Sequence, residues 1–241
     1  MARSVEKRIL KNILVILDDS PGSRKAAYMA YEVAARLGAR LVGASLFASH
    51  GQGKAEQNLR DFEIGARAAA VNVAGDYFPS LADALLAFNN LPIDAVFSGR
   101  DSLADDDLLS DWWTQASCPL WIVPSQRQIS RLLVVYDGSP GAAAALALAL
   151  SLSSRWEVDL KLLVTTQGVL LDEILPEQGR QSAQIMLELA PGSEMGAIFR
   201  QVAAENVDLV FLGRPATRDA MRATVRQAKG LLAICPALNS S

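Results

Sequence analysis

The chain has 241 residues, 51% of them hydrophobic and 20% charged, which is ample for a packed core and unlike a disordered or disulfide-stapled chain. Its 23 Lys and Arg against 26 Asp and Glu leave a net charge of -3, without the basic excess that sequence-independent binding to nucleic-acid phosphates needs. The longest apolar stretch, 142–152, is interrupted by Ser151 and falls short of the ~18–20 residues that span a bilayer.

The opening residues 1–11 are basic, but the apolar run 13–17 stops at Asp18-Asp19, too soon for a secretory h-region. Apolar runs at 13–17, 40–46, 69–74, 95–98 and 120–123 read as strands, separated by helical stretches at 21–37, 54–67, 80–89 and 104–115. The pattern then starts again, with strands at 132–136, 159–164, 184–188, 209–212 and 231–234. Cys118 and Cys235 make neither a metal-ligand cluster nor a disulfide framework, so a reduced cytoplasmic setting is expected.

The second set of strands repeats the first in detail. Asn12-ILVILDDSPGS and Arg131-LLVVYDGSPGA both end an apolar run in Asp-x-Ser-Pro-Gly, with Asp18 and Asp137 119 residues apart. Ile93-DAVFSGR matches Val207-DLVFLGR, and Cys118-PLWIVP matches Gly230-LLAICP more loosely. Matched landmarks in one order divide the chain into domains 1–126 and 127–241. Apolar strands joined by helices imply a parallel sheet covered on both faces, so each copy is expected to be a doubly wound α/β domain.

The Asp-x-Ser-Pro-Gly turn has a local logic: Ser20 and Ser139 suit the N-cap and Pro21 and Pro140 the first helical position. Placed at the carboxyl end of a first strand, such a helix start points its free N–H groups where open α/β sheets hold ligands. Two readings stand equally: a ligand site, or a well-made strand-to-helix turn. Arg100 and Arg214, directly after the fourth strands, can hold an anion by charge or serve as surface residues. Asp18 and Asp137 can contact a ligand or cap their own loop.

At these residues the chain resembles the universal stress protein family in its tandem form. The family's first strand ending in Asp-Gly-Ser is met by Asp18-Asp19-Ser20 and Asp137-Gly138-Ser139, its fourth strand ending in Gly by Gly99 and Gly213, and its Cys-Pro final strand by Cys118-Pro119. Asp111-Trp112 followed by Cys118-Pro119-Leu120-Trp121 also looks like the E-type tandem members. The resemblance implies five parallel strands per domain in order 3-2-1-4-5, helices on both faces, and last strands pairing across a two-fold into a pseudo-dimer. It also implies, for the nucleotide-binding branch, a phosphate loop Gly-x2-Gly-x9-Gly-Ser/Thr. After Gly99 those positions hold Ser102, Trp112 and Trp113, and after Gly213 they hold Ala216, Arg226 and Gln227. Side chains there block the close approach of backbone N–H groups to phosphate.

Catalysis has little to stand on: His50 is the lone histidine, and no Gly-x-Ser-x-Gly elbow occurs. Cys118 and Cys235 read as inert core thiols, and Trp112 and Trp113 as packing residues of a helix or an interface. The two copies differ in charge after the fourth strand. The first carries Asp101, Asp105, Asp106, Asp107 and Asp111, and the second carries Arg214, Arg218, Arg222, Arg226 and Lys229. These segments either pair across unlike halves or face water separately. The resemblance and the missing catalytic groups imply a non-catalytic stress-response protein acting through binding, with no cofactor. The candidate ligand contacts are Asp137, Ser139, Gly213, Arg214, Asp18, Ser20, Gly99 and Arg100. The alternative is an ATP- or AMP-binding regulatory module with a reshaped phosphate site. An unknown protein partner and a homodimer are expected, with neither nucleic acid nor membrane as partner.

Overall fold

The computed structural model describes residues 10–47, 51–88, 91–104, 106–115, 117–124, 128–165, 183–184, 206–227 and 230–237. The first half runs β1 (Asn12–Leu17), α1 (Pro21–Leu37), β2 (Arg40–Leu46), α2 (Gln52–Ala68), β3 (Val73–Phe78), α3 (Leu81–Ala87), β4 (Ala95–Gly99), a 3-10 turn (Ser102–Ala104), α4 (Asp106–Gln115) and β5 (Leu120–Val123). The second runs β6 (Arg131–Tyr136), α5 (Pro140–Trp156), β7 (Asp159–Val164), β8 (Ala183–Gln184), β9 (Leu209–Gly213), α6 (Arg218–Gln227) and β10 (Leu231–Cys235).

All ten of these strands lie in one sheet, ordered β3-β2-β1-β4-β5-β10-β9-β6-β7-β8. The pairs are parallel throughout except β5 with β10, which run antiparallel. The chain therefore forms one continuous, mostly parallel sheet in which the last strands of the two copies, β5 and β10, meet as a hydrogen-bonded pair. No helix among the described residues is long and apolar enough to cross a membrane.

Two apolar layers flank the sheet. One packs Ile13, Val15, Phe97, Trp121 and Phe211 against α1, α2 and α5, and the other packs Leu14, Ile16, Val96, Ile122 and Ile234 against α3, α4 and α6. The central strands β1, β4, β5 and β10 are buried almost along their whole length, which is why they read as unbroken apolar runs.

The seam is built from unequal partners. In the register Leu232 pairs with Ile122, Ala233 with Trp121 and Ile234 with Leu120, so the repeat counterparts Trp121 and Ala233 face each other at its centre. The Trp121 ring stacks on Phe97 at 4.7 Å and 18°, and meets the edge of Phe211 at 5.9 Å and 88°. The helices lock the same seam at their C-termini. An Arg155 Nη2 donates to the Leu37 carbonyl at 3.3 Å, and the Arg36 guanidinium lies 5.4 Å from the Trp156 ring centre. These cations meet the negative end of α1 and an aromatic face, both favourable placements.

Several boundaries depart from the sequence expectations, among them α2, which begins two residues early at Gln52 and ends one residue late at Ala68. The strand expected at 69–74 is β3, Val73–Phe78, because the alanine-rich stretch before it completes α2 and turns at Ala70, whose φ is 56°. Its Gly75-Asp76-Tyr77 looks turn-like in sequence, yet β3 is an edge strand that tolerates exposed polar residues. The helix expected from 80 starts at Leu81, with Ser80 outside it as N-cap, and the one expected from 104 starts at Asp106 after a 3-10 turn. The strand expected at 184–188 meets β8 at Gln184, and its remainder lies outside the described residues.

Replacing Trp121 by Ala leaves a void between two alanines at the centre of the sheet. The expected loss is about 3–5 kcal/mol, read by denaturant unfolding, and a loss below about 1 kcal/mol would contradict this packing. Burial pushes the Cys118 thiol up from about 9 to about 12 and raises Cys235 as well. A thiol raised in the folded state supports the fold fully below its ordinary value, and that support disappears as pH climbs from about 9 towards 12. Iodoacetamide at pH 8 should therefore leave both cysteines intact until denaturant is added, as counted by mass spectrometry.

Candidate functional site

At the carboxyl end of β1 the chain turns sharply into α1. Ser20 is the N-cap, its Oγ accepting the Ser23 N–H at 3.1 Å, and Pro21 sits at the start of the helix. Asp18 Oδ1 accepts the Ser20 N–H at 2.8 Å, while the Asp18 N–H donates to Ser23 Oγ at 3.0 Å. The second copy repeats the turn: Asp137 Oδ1 accepts the Ser139 N–H at 2.9 Å, and Ser139 Oγ accepts the Ala142 N–H at 3.1 Å. In both copies the aspartate and serine thus organise their own turn before they meet anything else.

Gly99 and Gly213 stand where the fourth strand of each repeat touches that first helical turn. A Cβ on Gly99 would lie 2.2 Å from the carbonyl carbon of Gly22, and one on Gly213 would lie 2.6 Å from the Ala142 nitrogen. Only glycine lets backbone pass backbone so closely. The same approach brings Ser102 Oγ to 3.1 Å from Ser20 Oγ and sets the Asp101 carboxylate over Gly22 in the first turn of α1. That is the positive end of the helix dipole, so the chain's own carboxylate takes the place an anion would favour. Asp18, Ser20 and Gly99 therefore meet in one corner, and Asp137, Ser139 and Gly213 in another.

The two arginines do different things. Arg214 reaches across the seam: its Nη1 donates to the Trp113 carbonyl in the last turn of α4 at 3.2 Å, and its guanidinium lies 5.1 Å from the Trp113 ring centre. Trp113 thus meets the other half, whereas Trp112 is fully buried and donates its indole N–H to the Cys118 carbonyl at 3.1 Å. Arg100 borders a cavity of about 250 Å³ between the halves, together with Asp101, Leu103 and Leu109 from one side and Arg222, Val225 and Arg226 from the other. Along α6, Arg222 pairs with Asp219 at 3.3 Å.

The acidic and basic segments of the two copies thus flank the same seam, although Asp111 is spent within its own half, accepting the Ala82 N–H at 3.1 Å. His50, Asp105 and Lys229 lie outside the described residues, as do the side chains of Asp106 and Asp107. Ser102 joins the first corner without having been expected at a site. Its only sequence signal is its position three residues after Gly99.

No protein-family model matches the chain, and no curated protein matches its sequence. Solved structures do match its fold. A universal stress protein from Archaeoglobus fulgidus DSM 4304 superposes with a TM-score of 0.76 at 15% identity, over 95% of this chain and 97% of that one. A functionally unknown protein from Pseudomonas aeruginosa PAO1 superposes with a TM-score of 0.64 at 13% identity, over 95% of this chain and 94% of that one. The chain therefore has the α/β fold of a universal stress protein, with a mostly parallel sheet between helical layers.

Proposed function

We propose that the chain is a tandem, universal-stress-type stress-response protein that acts without catalysis, by binding. Its domains, 1–126 and 127–241, pair within the chain as a pseudo-dimer. The observation that carries the reading is the repeated corner of Asp, N-cap Ser and closely packed Gly, in a fold that a universal stress protein shares over 95% of the chain. The positions of the family's phosphate-loop glycines are taken in the first half by Ser102, Trp112 and Trp113 and in the second by Ala216, Arg226 and Gln227. Trp112 is wholly committed to the core, so this segment supports packing more readily than a nest of N–H groups. The proposed setting is cytoplasmic, and the proposed partner is an unidentified protein or a second copy of the chain.

A second reading, an adenine-nucleotide-binding module, is favoured by one difference between the copies. The Asp137 side of the second corner is exposed, whereas at the first corner Asp101 already lies over the helix start. Calorimetry with ATP decides between the two. The expected dissociation constant is weaker than about 100 μM. Stoichiometric ATP carried through purification would overturn the first reading, and loss of that ATP in Asp137→Ala would place the nucleotide at the second corner.

A further inference from the structure

We propose that the outer edge of β3 is a self-association surface, along which two copies of the chain pair antiparallel about a two-fold axis through Gly75. β3 ends the sheet, and among the described residues only β2 pairs with it. Its backbone groups alternate in direction. The carbonyls of Asn72 and Phe78 accept from the N–H groups of Leu41 and Phe47 on the β2 side, so the N–H and C=O groups of Val73, Gly75 and Tyr77 point away from the sheet. Such an outward row is a template for another strand. Exposed apolar surface gathers at the same end of the molecule. Of the large exposed side chains Tyr28, Ile64, Tyr77 and Leu86, Tyr77 lies on β3, and Ile64 and Leu86 lie on α2 and α3, the helices packed against it. The second copy is a partner that the proposed function leaves unplaced; the choice of partner rests on that reading, whereas the β3 site requires nothing of the two Asp-Ser-Gly corners.

The strand, Val-Ala-Gly-Asp-Tyr-Phe, is complementary to itself in one register. With Gly75 on the axis, Gly75 meets its own copy, and the outward groups of Val73 meet those of Tyr77 in the other chain, each pair exchanging N–H and C=O in an antiparallel ladder. Val73 opposite Tyr77 also sets a β-branched side chain against an aromatic one, a favourable cross-strand pair. Asp76 then stands opposite Ala74, so no like charges are directly opposed. An axis through Asp76 would instead set two carboxylates face to face. The same aspartate guards the edge in the single chain, its Oδ1 accepting the outward N–H of Tyr77 at 2.9 Å. Pairing must turn that exposed carboxylate away from the Tyr77 N–H and bring two of them diagonally across the axis. Asp76 therefore keeps association weak and reversible, in the manner of charged residues that restrain other edge strands.

The test is sedimentation velocity of the full chain from about 1 to about 200 μM, with hydrogen exchange read by mass spectrometry at both ends of that range. A monomer–dimer equilibrium is expected, with a dissociation constant of about 10–100 μM. Peptides covering 73–77 should gain protection as concentration rises. Val73→Pro removes an outward N–H without touching the β2 ladder, and should weaken the dimer at least tenfold. Tyr77→Glu should do the same, by removing the aromatic partner of Val73 and adding like charge near Asp76. Asp76→Ala frees the Tyr77 N–H and removes the repulsion, so it should tighten the dimer at least tenfold. Folding of each variant is checked by circular dichroism and thermal melting; if Val73→Pro does not fold, Tyr77→Glu and Asp76→Ala decide, because they must act in opposite directions. A parent that stays monomeric at about 200 μM overturns the proposal. So does a dimer whose 73–77 amides gain no protection, which would put the contact at β8 or on a helical face, and so does parent-like association in the folded variants. Calorimetry with ATP reads the corners and not this edge, so the two readings fail separately.

Discussion

Everything at the centre of this molecule depends on the antiparallel pairing of β5 with β10, and within it on Trp121 facing Ala233. A strand pair of three bonded positions is short, so its register is held by side chains. A slip of one residue would carry Trp121 from the α1 and α5 side of the sheet to the α3, α4 and α6 side. The aromatic cluster of Phe97, Trp121 and Phe211 makes that slip costly, because the ring is flat against one repeat's phenylalanine and edge-on to its counterpart. Two first halves meeting in the same way would collide Trp against Trp, and two second halves would leave a void between alanines. The inequality at this one position therefore makes the halves fit each other better than either fits itself.

Once the register is set, the outer contacts are determined. Arg155 reaches the last carbonyl of α1 and Arg214 reaches the last turn of α4, so the second half places a cation at the negative end of two helices of the first. The cavity lined by Arg100, Arg222 and Arg226 exists only because α6 is brought beside the turn after β4. Its shape is a consequence of the seam and not of either half.

The two corners at the carboxyl ends of β1 and β6 show how one local device can be put to unlike ends. The turn is the same in both, down to the aspartate that accepts the serine N–H and the glycine that admits the helix. An arginine follows that glycine in both, and the difference begins after it, with Asp101-Ser102 in the first half and Pro215-Ala216 in the second. In the first half Asp101 and Ser102 fold back over the helix start, and in the second Arg214 departs towards Trp113. The same arginine thus stands beside unlike neighbours, an aspartate that caps the helix start in one half and a proline in the other.

Most of the architecture is readable from residue order, because its causes are local. Apolar runs too short for helices mark β1, β4, β5 and β10, Ser-Pro pairs mark the starts of α1 and α5, and matching landmarks reveal the repeat. Where local signals compete, residue order misleads: Ala69 and Ala70 suit a helix end as well as a strand, and Gly75-Asp76 suits a turn as well as an edge strand, so β3 begins four residues later than its sequence suggests. The candidate site is legible in half. Asp18, Ser20 and Gly99 are close in sequence or repeat-matched, and their meeting is a consequence of the fold class. Residue order left open whether the segments after Gly99 and Gly213 meet, and only the β5–β10 register brings Arg100 and Arg226 to one cavity and turns Arg214 towards Trp113. Composition and periodicity report what a segment does to its neighbours along the chain, whereas a seam between halves is chosen by the fit of side chains that only the folded sheet brings face to face.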